Sequence, residues 1–187
     1  MGQGVDTVLS QVVAEMLGIR LDVVRAVHGQ TEKFDYGRGA FATRQSVMAG
    51  SATWHAAEIV RDKALQVAAD ALEIDPSDLE LVDGAVCVVG DPGSRLDLGQ
   101  IAQLLEPVNA ERLGLSPGLS GDGWFHTNHM TYPYGVHIAV IRIERGTGNP
   151  IVEKYLVGYD VGKALNHRLV EGQLAGGGRS RYRRRTL

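Results

Sequence analysis

The sequence is short of cysteine, of long apolar runs and of aromatics, and each shortage closes off a class of protein. A single cysteine, Cys87, can neither close an internal disulfide nor build a thiolate metal site, which suits a cytoplasmic setting. The apolar stretches are strand-sized, so no transmembrane segment is expected. No basic segment followed by an apolar one opens the chain, so no secretory signal is read. Aromatics make up 6% of the 187 residues, yet 44% are hydrophobic and 22% charged, enough apolar material for a folded core. Charge is unbalanced at one end. The last nine residues hold Arg179, Arg181, Arg183, Arg184 and Arg185 and no acid. The rest keeps 14 of the 19 basic residues against 22 acids, a balance of −8. So acidic a body argues against a nucleic-acid partner.

What is present reads as α+β: mixed sheet strands with two longer helices. Val5, Val8, Leu9, Val12, Val13, Met16 and Leu17 repeat at helical spacing, and Gly18 is a natural stop. Residues 22–27 read as a strand, and 28–43 as a polar loop. Residues 46–72 form a long helix whose start is rich in small residues (Ser46, Ala49, Gly50, Ser51, Ala52), which permits close approach of another element or a ligand. Asp83-Gly84 inside residues 79–89 supplies the positive φ of a two-residue hairpin turn. Residues 98–105 read as a short helix and 106–123 as an irregular connection. Alternation over 135–145 and 151–160 predicts a strand pair with at least one covered face. A last helix begins near Arg168.

The chemistry is marked by what it does not include. There is no nucleophile elbow, phosphate loop or dinucleotide fingerprint, and no histidine pair at zinc-ligand spacing. No catalytic residue and no metal ligand is assigned on these grounds. Cys87 sits among valines and reads as core. His126 and His129, in a strand-like stretch beside Trp124 and Tyr132, read as a partly buried polar pair. Three glycine–amide motifs remain. Met1-Gly2-Gln3-Gly4 stands before a helix, where free N–H groups suit a phosphate or another polar ligand. Gln3 adds an amide that donates and accepts together. Arg44-Gln45-Ser46 opens the second long helix with a guanidinium for a phosphate. Gln173 follows Gly172. Each alone is an ordinary cap; three together suggest a large polar cofactor lying across several loops.

Five motifs then occur in order: Met-Gly-Gln-Gly-Val-Asp-Thr at 1–7, Arg-Gln-Ser-Val-Met-Ala-Gly at 44–50, Thr-Tyr-Pro-Tyr-Gly-Val-His at 131–137, Tyr-Asp-Val-Gly-Lys-Ala-Leu-Asn at 159–166 and Leu-Val-Glu-Gly-Gln at 169–173. Together they resemble the molybdopterin-binding large subunit of the molybdenum hydroxylases, the group of xanthine dehydrogenase, aldehyde oxidase and the carbon monoxide dehydrogenase type. The resemblance covers the chain to Gly177. It divides the sequence into a partial molybdopterin-binding domain, 1–177, and an arginine-rich tail, 178–187, that reads as foreign to it, as a frame error would give. It implies a molybdenum cofactor, as molybdopterin cytosine dinucleotide, contacted by Gly2, Gln3, Gly4 and Gln173 at the pterin. Arg44, Gln45 and Ser46 would lie along the phosphate or nucleotide. Tyr132, Pro133 and Tyr134 would be structural.

The resemblance further implies oxidation of an aldehyde, an N-heterocycle or carbon monoxide, with water as the oxygen source. Iron–sulfur clusters and FAD would reside on other subunits or domains, and the remainder of the large subunit would be a further partner. Departures are specific. The family's Gly-Asp-Thr reads Gly29-Gln30-Thr31 here, and His167 stands where proline usually follows the asparagine at 166. The family's Met-Gly-Gln-Gly is internal, and its general-base glutamate belongs to a Gly-x-Gly-Glu that this sequence lacks. The chain alone is therefore expected to be inactive. The alternatives are a non-catalytic remnant, a docking module of a split enzyme or an independent anion-binding domain.

Overall fold

The computed structural model describes residues 2–32, 36–129 and 131–183. Met1 and residues 184–187 of the expected tail, with Arg184 and Arg185, lie outside the described residues. The chain divides into two compact units, Val5–His129 and Met1–Gly4 with Met130–Leu187. Helix and strand are mixed, with small sheets, and the α+β class holds.

The first unit is built on two helices, α1 (Val5–Leu17) and α2 (Arg44–Leu72). Gly18 ends α1 at φ +59°, and a Cβ there would lie 3.2 Å from the Leu81 carbonyl oxygen, so the helix end presses on a strand backbone. Strands β1 (Leu79–Val82), β2 (Ala85–Val88) and β3 (Asp91–Asp97) form an antiparallel sheet in that order. Asp83 and Gly84 both take positive φ, +50° and +72°, as a two-residue turn between twisted strands requires. Helix α3 (Leu98–Leu104) opens on a capping box between Asp97 and Gln100, and α4 (Pro107–Arg112) opens on proline. The core lies where α2 meets the sheet and the short helices: Ala64, Val67 and Ala68 pack with Leu79, Val86, Ile101, Leu105 and Ala110. Cys87 is buried, as its valine neighbours predict, but stands outside this cluster.

Two expectations are corrected in this unit, and one element stands where none was read. Residues 22–27 are not a strand; a 3-10 turn, Leu21–Val23, leads into extended chain with no strand partner among the described residues. β3 stands at 91–97, a stretch for which no element was read. Its Asp-Pro-Gly-Ser start suits an edge strand, where a missing N–H costs no ladder bond. α4 lies inside the stretch read as irregular, because proline at a helix start supports the turn it would break elsewhere.

In the second unit β4 (Tyr134–Ile143) and β5 (Pro150–Asp160) form an antiparallel hairpin, registered from Tyr134 opposite Asp160 to Ile143 opposite Pro150. A bulge at Val140/Ile141 shifts the ladder once. Helix α5 (His167–Arg183) follows, and runs unbroken past the expected boundary at 177. The covered sheet face that alternation predicts is not found. Every residue of β4 is exposed, and on β5 only Val152 is less than exposed.

Candidate functional site

Asn166 starts the assembly that links the two ends of the sequence. Its side-chain oxygen accepts the Leu169 N–H at 3.1 Å and its carbonyl accepts the Val170 N–H at 3.1 Å, which fixes the first turn of α5. His167 occupies the position where proline is favoured, and the asparagine cap carries the start without it. Leu169 and Gln173 stand four residues apart on α5, hence on one face. Both meet the 2–4 turn. Gly4 has φ +72°, and a Cβ there would sit 2.7 Å from Leu169 Cδ2. The Gln173 amide donates from Nε2 to the Gly2 carbonyl oxygen at 3.5 Å, across 171 residues of sequence. A carboxamide so held keeps a second N–H and a carbonyl oxygen for a ligand edge. Gln3 lies exposed in the same turn.

Arg44, Gln45 and Ser46 lie in the other unit, in the first turn of α2. The chain enters this helix through two consecutive left-handed residues, Ala42 at φ +50° and Thr43 at φ +57°. For residues with a Cβ this conformation costs about 1–2 kcal/mol each. Thr43 is the N-cap, and its side chain makes no capping bond. The Arg44 guanidinium donates from Nη1 to the Gly39 carbonyl at 2.8 Å and rests on the Phe41 ring, 5.1 Å from its centroid. The fork is thus oriented by loop and ring. No acid occupies this first turn. The Arg44 N–H is taken by the Phe41 carbonyl at 3.1 Å; the helix start without a side-chain cap, the dipole's positive end and an arginine together favour an anion.

The small residues of α2 receive a protein segment. Residues 121–125 lie along the helix, where a Cβ on Gly123 would sit 2.0 Å from the Ala52 carbonyl oxygen and one on Gly121 2.9 Å from that of Ala56. Phe125 stacks on His55 at 6.2 Å. Lys63, buried on α2, pins the approach to this segment, donating to Ser116 Oγ at 2.9 Å and to the Gly118 carbonyl at 2.6 Å. His126 and His129 are exposed and lie in irregular chain, a correction to the strand-like, partly buried reading. His126 pairs with Asn128 at 2.9 Å. Sequence reasoning missed Leu169 and Gly123. Gly121-Asp122-Gly123, beside a helix rich in alanine, was the signal for the second.

Three comparisons bear on this geometry. The family profile of the molybdopterin cofactor-binding domain matches residues 1–179. The 6-hydroxypseudooxynicotine dehydrogenase complex subunit gamma of Paenarthrobacter nicotinovorans is 37% identical over 175 residues, which is 94% of this chain and 22% of that protein. The carbon monoxide dehydrogenase large chain of Hydrogenophaga pseudoflava is 32% identical over 176 residues, again 94% and 22%. Among solved structures, reconstituted CO dehydrogenase from Oligotropha carboxidovorans superposes with a TM-score of 0.81 at 31% identity, covering 94% of this chain and 22% of that one. The chain therefore spans under a quarter of the length of these relatives.

Proposed function

Since the chain belongs to the molybdopterin cofactor-binding domain family of the molybdenum hydroxylases, we propose that it contributes two contact regions to a molybdopterin cofactor. Gly2, Gln3, Gly4 and Gln173 take the pterin, and Arg44, Gln45 and Ser46 take the phosphate or nucleotide of a cytosine dinucleotide form. The single observation that carries this reading is the meeting of Gly2, Gly4 and Gln173 in one unit. Two ends of the sequence are joined there by a glutamine amide on a glycine carbonyl.

The residues fit the group. A pterin edge alternates donors and acceptors, which an amide side chain and open glycine backbone can match. A phosphate suits the acid-free start of α2, which has no side-chain cap, with the Arg44 fork braced on Phe41. When bound, the molybdenum group supplies two-electron oxidation of an aldehyde, an N-heterocycle or carbon monoxide, with oxygen from water. This chain's residues bind and orient it, and no carboxylate among them is assigned as general base. Absence of a positioned base costs about 10²–10⁴-fold in rate. We therefore take residues 1–177 as the cofactor-contacting part, inactive by itself, working in the cytoplasm with the remainder of a large subunit and with iron–sulfur and FAD subunits or domains.

The test is retention of the cofactor. The chain is produced in a host that makes the cytosine dinucleotide form, purified, and assayed for fluorescent pterin after oxidation. Retention above background is expected, falling several-fold in Gln173→Ala. Cytidine diphosphate is the probe for the second region. Arg44→Ala should weaken its binding about 10- to 100-fold, the usual cost of a charged hydrogen bond. A chain with no pterin, or Gln173→Ala and Arg44→Ala indistinguishable from the parent, would overturn the proposal.

A further inference from the structure

The contacts between α5 and the 2–4 turn differ in strength. Gln173 Nε2 donates to the Gly2 carbonyl at 3.5 Å, from an exposed side chain. An N–H···O bond is usually about 2.9–3.0 Å long, and one so stretched and open to water does little to order a backbone. The other contact is apolar. The half-buried Leu169 side chain closes over Gly4, with Cδ2, Cδ1 and Cγ at 2.7, 2.8 and 3.2 Å from the point where a Cβ would stand. Only a residue without a Cβ admits the leucine so near, and the same residue is at ease at φ +72°. Leu169 is itself fixed. Its N–H is bonded to the Asn166 side-chain oxygen at 3.1 Å, and Asp160 at the end of β5 accepts the Gly162 N–H at 2.9 Å. The link from strand to helix is thus braced at both ends, and the leucine reaches the turn from a fixed backbone.

We infer that Leu169 is a positioning residue for the glycine turn: its packing on Gly4 holds the turn, and the Gln173 amide, relieved of that task, stays available to a ligand. The inference rests on the reading of Gly2, Gln3, Gly4 and Gln173 as pterin contacts, and it names the side chain that prepares them. A turn already ordered loses less freedom when a ligand binds, so order set by Leu169 becomes affinity at the glycines. Leu169 acts through Gly4. Its loss is therefore felt in the order of the turn as well as in ligand retention, whereas loss of Gln173 is felt in retention alone.

The test pairs backbone order with ligand retention in the full chain. Nitrogen relaxation, without cofactor, gives the order parameters of the Gln3 and Gly4 amides, where about 0.85 marks rigid backbone and below about 0.6 a flexible one. The parent and Leu169→Met, which conserves the side-chain volume, should stay near the rigid value. Leu169→Ala should fall towards the flexible one while the α2 amides keep theirs. Leu169→Val, a smaller truncation, should fall part of the way, and it decides the matter if the alanine variant unravels α5. Gln173→Ala should leave the turn ordered. In chains produced with the cofactor, pterin retention should drop several-fold in Leu169→Ala and recover in Leu169→Met, with cytidine diphosphate affinity unmoved in both. A turn mobile in the parent, or as ordered in Leu169→Ala and Leu169→Val as in the parent, overturns the inference. So does a loosened turn with undiminished pterin, or a Gln173→Ala turn as loose as that of Leu169→Ala, which would give the holding role to the amide. A parent that carries no pterin fells the proposed function instead, and the relaxation measurement still decides whether Leu169 holds the turn.

Discussion

Gly123 and Gly50 face the same helix from opposite situations. A Cβ on Gly123 would strike the backbone of α2 at Ala52 and Ala56, which cannot rotate away, whereas Gly50 is inside the helix with nothing within 4 Å of its would-be Cβ. Gly123→Ala should therefore destabilise the chain by about 3 kcal/mol, at the upper end of overpacking. Gly50→Ala should stabilise it by roughly 0.5–1 kcal/mol through helix propensity. Urea denaturation of both variants checks the pair, and equal midpoints would refute the packing argument. The two residues also show how far single positions can be read. The small-residue start of α2 announced a close neighbour but left open whether that neighbour was ligand or protein. Gln173, by contrast, was singled out by its motif. Leu169 was not recognised as a site residue, because a leucine on an amphipathic helix looks the same whether it meets a core or a glycine turn.

At the scale of elements, α2 is tied to α4 by Arg112. Its guanidinium makes a two-pronged contact with Asp70, Nη1 to Oδ1 at 3.0 Å and Nη2 to Oδ2 at 2.6 Å. Hydrogen bonding to Arg112, reinforced by its charge, holds the Asp70 carboxyl below its ordinary value. A carboxyl depressed in the folded state contributes stability above the unfolded value of about 3.9 and loses it as pH falls through the lower folded one. Asp70→Asn should thus lower the urea midpoint at neutral pH and flatten its decline below about pH 4. Parallel curves for variant and parent from neutral pH to pH 2 would show that the contact does not strengthen the fold. Asp75, held low by the Ser77 N–H and hydroxyl, and Asp22, held low by Arg20, keep some acid sensitivity in either protein. Element by element, strongly periodic segments were legible: α1, α2 and both hairpins lie where the pattern put them. The edge strand β3 and the short α4 were not. Each has a proline in its first two residues, which local sequence reads as a breaker and which position in the fold turns into a strand edge or a helix start.

The whole molecule divides its burial unevenly. Each described residue that is buried and hydrophobic, from Leu17 through Val67, Val86 and Ile101 to Ala110, belongs to Val5–His129. The other unit holds a long hairpin and a helix with no buried hydrophobic residue among those described. Stability follows buried apolar contact, so the two units should open with different free energies. In amide hydrogen exchange of the full chain, the slowest amides should lie in α2 around Ala64–Ala69 and in the adjoining β2. Those of β4 and β5 should exchange at least about a hundredfold faster despite their long ladder, since a two-stranded ribbon is marginal by itself. Salt should change this little, because the hairpin lacks apolar cover and not ion pairs: Arg142 already meets Glu153 at 2.8 Å. Equal protection of hairpin and α2 would mean that the chain buries its sheet face on its own, as the alternating pattern alone had suggested. Slow exchange appearing only when an apolar layer is supplied would assign the missing stability to the partner that brings it.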